Sequence, residues 1–438
     1  MRRLRFIFFL ILIMPGCTML RPEVTQPLPE DFPKAFSLYS VSEDHKIAWW
    51  KTFQSRELDC LMQKSLVKNF TVLEAQARLE QARYAALKAG AYYYPELGFS
   101  STAGHQEMKE KGGSQVSSDE WSLGLNAAYE VDLWGRVRAF KESEAGKYAA
   151  SEEDFKTAIM SVSGAVAESW IELIENRRHH DLLLQQMELQ QKLLKLIILR
   201  FPLAQSTALD IYQQQQIVEK LQAALIPTVN NQEIIKRRLA LLAGRVSLND
   251  EMLAARFFPE VGAVPILGLP ADLLAARPDI RAAGLRLQAG EWEVVAAHAD
   301  RLPAIRLTAS ANYFDDNLSS IFDNWILNLA ANLAGPIFDG GRRRAEVARV
   351  RAVVDERLAF YRETVFTAVI EVEDALTREA ETTATLNSLR KQLALSRQTL
   401  REARRRYLNG SSDFINVLNE ELNSLQLEHD IITQEKQF

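Results

Sequence analysis

Residues 121–136, WSLGLNAAYEVDLWGR, change periodicity partway along. From 121 to 133 the odd positions are Trp121, Leu123, Leu125, Ala127, Tyr129, Val131 and Leu133, and the even ones are Ser, Gly, Asn, Ala, Glu and Asp. This alternation marks a strand with one apolar face. Beyond Trp134 and Gly135 there is no proline until Pro202, and Ala158, Val162, Ala165 and Trp170 recur in threes and fours. That is the helical period. A strand long enough to cross a bilayer within a β-barrel therefore feeds a very long helix.

The same junction occurs twice. Trp325, Leu327, Leu329, Ala331, Leu333, Gly335 and Ile337 repeat the alternation, then Phe338 and the pair Gly340-Gly341 lead into another proline-free helical run. Arg136 and Arg342 are equivalent and lie 206 positions apart. Upstream, Pro95 precedes alternating Leu97, Phe99 and Ala103, and Pro303 precedes Ile305, Leu307, Ala309 and Ala311. A period near half the chain is too long for a solenoid and implies two similar halves of one fold.

Composition narrows the class. With 25% charged and 47% hydrophobic residues the 438-residue chain has no disorder signature, and a formal charge of −5 gives no reason to expect nucleic acid. No apolar run of eighteen residues occurs beyond the N-terminus, so membrane crossing falls to the strands.

Taken in order, residues 1–16 read as a signal peptide, with Arg2, Arg3 and Arg5 before an apolar core at 6–13. The Gly16-Cys17 end resembles a bacterial lipobox, which makes Cys17 the lipidation site. Thr18 in place of Asp then favours the outer membrane, and Cys60 is left unpaired. Residues 17–48 form a lipidated tether. The first structural repeat covers 49–244: a helix through Gly90, a strand at 93–104, a polar loop at 105–119, the strand ending near Trp134, a helix at 137–198 and a return helix at 206–243 capped by Gly244. The first long helix measures about 93 Å. Residues 245–270 are a linker. The second repeat, 271–438, has a helix to 299, strands at 304–314 and 324–337, a helix at 342–406 and a short last helix after Asn409-Gly410. That last helix is about twelve residues shorter than its counterpart by the same offset.

Four strands cannot close a barrel, and open edges are not tolerated in lipid. Three copies supply twelve. The reading is therefore a mixed α/β membrane protein, mostly long antiparallel helices plus four amphipathic strands per protomer. Trp121, Trp134, Trp325 and Phe338, with 92–94, stand at strand ends, as an aromatic girdle does; plain hydrophobic filling is the other reading.

The segments YEVDLWGRVR (129–138), LPADLLAARPDIRAA (269–283) and GPIFDGGRRRAEV (335–347), with the turns RFPLAQSTALD and RYLNGSSDFINVL, resemble TolC-type outer membrane factors, specifically the NodT and OprM-like efflux lipoproteins. The resemblance implies a homotrimer in the outer membrane of a Gram-negative bacterium, with a twelve-stranded β-barrel in lipid and a periplasmic α-barrel. It implies docking to a periplasmic adaptor (membrane fusion) protein and, through it, to an inner-membrane efflux transporter. The activity implied is passive: an exit duct of a tripartite efflux or secretion system.

The same resemblance places the turns at the periplasmic tip. Asp413, Tyr407, Asn416, Gly410, Asp210, Arg200 and Arg406 become candidate tip or gate residues, with cap and turn chemistry the alternative for Asp210, Asp413 and Gly410. Ser412 and Asn419 stand where an acid is often found, which weakens a cation-selective ring. Arg342, Arg343 and Arg344 start a helix where the macrodipole disfavours cations, so anionic lipid headgroups or acidic groups of a neighbouring protomer are expected to compensate, with a solvated face as the alternative. No phosphate loop, HExxH, paired CxxC or nucleophile elbow is present, so no catalytic residue, metal or cofactor is assigned. His179, His180 and His298 read as surface or packing residues. A non-conducting structural lipoprotein and a periplasmic helical binding module with a soluble strand sandwich remain the competing readings.

Overall fold

The computed structural model describes residue 22 and residues 49–109, 111–112, 115–249, 253–260 and 276–438. The expected signal peptide, Cys17, the tether and the middle of the linker lie outside these. The chain forms two compact units, each built from both sequence halves.

One unit takes residues 77–154 and 277–365. It contains most of helix α2 (Phe70–Ala91), strands β1 (Glu96–Lys109) and β2 (Gln115–Val131), and the start of α3 (Arg136–Arg200). From the second half come α5 (Pro278–Ala299), β3 (Ala304–Asp315), β4 (Trp325–Ala334) and the start of α6 (Arg342–Leu408). The strands form one antiparallel meander in the order β1-β2-β3-β4, with Leu125 opposite Phe99 and Ala311, and Leu329 opposite Ala309. Every residue of β1 and of β4 is exposed. These edges have no partner strand among the described residues.

The first hairpin departs from expectation. Residues 105–109 and 115–119, read as loop, continue the two strands in register. His105 Nδ1 lies 2.6 Å from Asp119 Oδ1, and Gln115 Nε2 donates to Glu107 Oε2 at 2.8 Å. Cross-strand polar pairs extend the ladder where no apolar alternation announces it.

Both strand-to-helix junctions are built by an aspartate. Asp132 accepts from the backbone N–H groups of Val137 and Arg138 at the start of α3, each at 2.9 Å. Asp339 accepts from Gly341 and Arg343 at the start of α6. Asp339 also pairs with the Arg343 guanidinium at 3.4 Å. Compensation for the arginine run thus begins within the chain, because an N-terminal carboxylate satisfies orphan donors and opposes the dipole.

The other unit takes residues 49–76, 155–276 and 366–438 among those described. The expected single helix from 49 to 90 is broken: α1 (Arg56–Lys68) stops at Asn69 and α2 follows. Asn69 Oδ1 accepts from Thr71 and Val72, and its Nδ2 donates to the Leu242 carbonyl at 2.9 Å. A side chain that caps the next helix competes with the backbone bond that would have continued the first. Leu242 ends α4 (Ala208–Leu242). Beyond it Gly244 adopts φ 66° with its α-carbon against the Lys68 carbonyl, where a Cβ would meet the oxygen at 2.2 Å. Only glycine satisfies both demands.

The core of this unit holds Leu58, Leu61, Trp170, Leu173, Ile174, Leu239 and Leu253. Trp170 Nε1 donates to Glu57 Oε1 at 2.7 Å, and Glu57 Oε2 accepts from Ala254 and Ala255 at 2.8 Å. One carboxylate therefore ties α1 to α3 and to residues 253–260. Among the described residues, the helix running Arg136–Leu203 alone carries a window apolar enough for a bilayer, and 44% of that window is buried in the protein.

Candidate functional site

The two helical turns of the second unit are near copies. At the first, α3 ends at Arg200 and a 3-10 turn, Phe201–Leu203, leads to Ala204 at φ 55°. The Ala204 N–H donates to the Phe201 carbonyl and that of Gln205 to Arg200. At the second, Gly410 at φ 70° donates to Tyr407, and Ser411 to Arg406. Both are Schellman closures with a left-handed residue at the cap. The first uses alanine where glycine is the unstrained choice.

The return helices start differently. Thr207 and Asp210 form a reciprocal capping box at the head of α4. Asp413 occupies the N-cap of α7 (Phe414–Gln437), but its side chain makes no cap hydrogen bond and is exposed. Asn416 Nδ2 donates instead to Ser412 Oγ at 3.0 Å.

Between the turns lies an open cleft of about 710 Å³, lined by Arg200, Thr207, Asp210, Tyr407, Gly410 and Asp413 among others. Five of the seven tip candidates therefore converge on one place. Arg406 and Asn416 do not line it; Arg406 Nε donates to Glu402 Oε1 at 2.9 Å. Glu402 is held below its usual range by hydrogen bonds from Arg406 and then Arg405.

Tyr407 is 8% exposed and packs with Ile197, Phe414 and Val417. Its ring lies 5.2 Å from that of Phe414, and the Arg200 guanidinium sits 5.3 Å from its centroid. The Tyr407 hydroxyl and Arg200 Nε are buried without a hydrogen-bond partner in the described structure. Burial, reinforced by the charge of Asp210 and opposed by Arg200, pushes the hydroxyl pKa up. Within one protomer Tyr407 is a core side chain with its edge on the cleft.

Sequence reasoning missed a polar ladder above this tip. Glu421, Glu428 and Glu435 of α7 are seven residues apart, and each bridges two helices. Toward α6 they accept from Arg404 (2.6 Å), Arg397 (2.7 Å) and Arg390 (3.0 Å), which are also seven apart. Toward α3 they accept from Gln190 (2.9 Å), Gln186 (3.2 Å) and Arg178. Gln214 of α4 joins through Gln190, donating to its side-chain oxygen at 2.7 Å. The two heptad series, glutamate on one helix and arginine on an antiparallel neighbour, were the available signal.

Trp325, Trp134 and Phe338 fall at or just beyond strand ends, but Trp121, expected at one, lies inside β2 opposite Ala103 because the first hairpin extends past it. Trp121 stands opposite Asp315 and Trp325 opposite Tyr313, whose ring meets Phe322 at 5.3 Å. At the helix end Trp134 Nε1 donates to the Pro303 carbonyl at 2.7 Å and Phe338 is 90% exposed. Nearby Arg136 grips Glu130 through two bonds of 2.8 Å. Cys17 lies outside the described residues, and Cys60 is free and exposed. Of the histidines, His180 bonds Thr228 and His298 lies beside Arg351.

A model of the outer membrane efflux protein family matches residues 61–245 and 269–437. The pyoverdine export outer membrane protein OpmQ of Pseudomonas aeruginosa is 32% identical over 391 residues, covering 84% of this chain and 80% of its own. The cation efflux system protein CusC of Escherichia coli K12 is 25% identical, covering 94% and 92%. Among solved structures, that of the outer-membrane channel OprN superposes with a TM-score of 0.86 at 26% identity, over 95% of this chain and 96% of that one.

Proposed function

Since the chain belongs to the outer membrane efflux protein family and has the TolC-type channel fold, we propose that it works as a homotrimeric duct, gated at the cleft between its two helical turns. The observation that carries this is the four-stranded meander with both edges unpaired in the described structure and one face of exposed apolar side chains, Phe99, Leu125 and Leu329 among them. Lipid does not tolerate open edges, and three copies of four strands close a barrel of twelve. Its relatives are export and efflux components rather than enzymes, and we read this chain the same way. As the outer-membrane member of an efflux pump it would receive cargo from an inner-membrane transporter through a periplasmic adaptor. Cys17 would anchor it by lipid, and the repeats at 49–244 and 271–438 would supply the two matching hairpins of each protomer. Trp121, Trp134, Trp325 and Phe338 would mark the two interfaces of the membrane.

The gate reading rests on Asp413, the exposed carboxylate of the cleft that caps no helix. Asp210, engaged in its capping box, and Tyr407, in the core, would position the turns around it. The test is single-channel conductance of the detergent-purified protein in planar bilayers, with its mass in detergent. A trimer with small openings that grow in Asp413→Ala supports the gated duct. A trimer that never conducts, in either form, supports a structural lipoprotein instead.

A further inference from the structure

His179 of α3 and His429 of α7 meet with their Nδ1 atoms 2.7 Å apart and their rings stacked, centroids 4.9 Å apart and planes 13° from parallel. Such a contact requires one nitrogen to donate and the other to accept. It exists only while at least one ring is neutral. Two imidazolium rings at this distance would repel and would leave two donors facing each other.

Charged and polar groups surround the pair on every side. Glu175 Oε1 lies 3.8 Å from His179 Nε2, and Lys436 Nζ lies 3.1 Å from Glu175 Oε2. Thr433 Oγ1 stands 3.4 Å from His179 Nε2. Other charges around the pair come from each neighbouring element. Arg178 on α3 is held by Glu435, while Glu428 and Asp430 flank His429 on α7. Arg390 and Arg397 on α6 bind Glu435 and Glu428. Residues 253–260 bring Arg256, which engages Asp181 of α3. From α4 comes Thr228, bonded to His180.

Imidazole is the side-chain type here whose ordinary value falls between pH 7.5 and 5.0. We propose that His179 and His429 form an acid-sensitive joint that loosens the C-terminal half of α7 against α3, where Arg178–Glu435 and Lys436–Glu175 remain as the other ties between the two helices, while Arg390 and Arg397 keep that half on α6. The proposal rests on the duct reading only for its consequence, a loosening of the second hairpin from the first in acid.

Burial, then the charge of His179, holds His429 below the ordinary imidazole value. A base depressed in this way leaves the contact intact above about pH 6.5 and weakens it as pH falls from there toward the lowered value. Burial pushes Glu175 up, but hydrogen bonds from His179 and Lys436 outweigh it and hold this carboxylate low, so it stays charged through the same window.

Hydrogen exchange read by mass spectrometry on the detergent-purified full chain, corrected for intrinsic rates, tests this without any need for conduction. Between pH 7.5 and 5.0, protection of residues 424–437 should fall at least tenfold, while residues 390–404 of α6 change less than twofold. His429→Gln should keep the protection of α7 within twofold across the same range. His179→Gln, which removes the other half of the pair, gives the same reading if His429→Gln does not fold. A wild type whose α7 stays protected at pH 5.0, or a folded variant that loses protection as fully as the wild type, overturns the joint. Neither result bears on whether the protein conducts.

Discussion

Ala204 and Gly410 are equivalent residues in the two turns, and both are left-handed. A left-handed alanine costs about 1–2 kcal/mol relative to its relaxed conformation, and part of that returns as lost chain entropy when glycine replaces it. Ala204→Gly should therefore stabilise the helical unit by about 0.5–1 kcal/mol, and Gly410→Ala should destabilise it by about 1 kcal/mol. Urea unfolding followed by circular dichroism at 222 nm reads both, and equal effects of one sign would refute the assignment. At Tyr407 the ring and the hydroxyl separate. The hydroxyl is buried without a partner among the described residues, so Tyr407→Phe should be neutral or stabilising, whereas Tyr407→Ala should cost about 3–5 kcal/mol of packing. A large loss in the Phe variant would mean that the hydroxyl finds a partner in the assembled protein.

At the scale of elements, α7 is held on two sides by carboxylates that each serve two helices. Glu421 is the most buried of them, 6% exposed at its side chain, while its partner Arg404 is 41% exposed. Removing the acid strands Gln190 and Arg404, but the arginine retains a route to water. Glu421→Ala should then cost about 2–3 kcal/mol, below the loss seen when both members of an ion pair are fully buried. A double-mutant cycle with Arg404→Met checks whether the pair accounts for it, and a coupling near zero would assign the loss to Gln190. The strand–helix junctions depend on Asp132 and Asp339, and these caps were not read from the sequence. The arginines at 342–344 were read, but the acid that answers them sits three residues earlier, outside the helix pattern that drew attention to them.

At the scale of the molecule, the sheet ends in two edges that have no partner strand among the described residues. Leu329 in the middle of β4 is 76% exposed and stands in an apolar row with Leu327 and Leu333. If that row faces lipid, Leu329→Arg carries about 2–4 kcal/mol per copy near the bilayer midplane, and the penalty recurs in every protomer. We expect trimer assembled in the membrane fraction, scored by seminative gel electrophoresis, to fall to a small fraction of wild type. Undiminished assembly would favour a soluble sheet. The sequence was sufficient for where strand passes into helix and for both helical turns, because periodicity and turn residues are local quantities that neighbours in the chain decide. Only the tertiary structure decided that Asn69 breaks a helix by reaching Leu242, that Tyr407 lies in a core, and that three glutamates of α7 each join two other helices. Those depend on the rotational phase at which helices far apart in sequence meet, and on which side chains the meeting leaves facing each other.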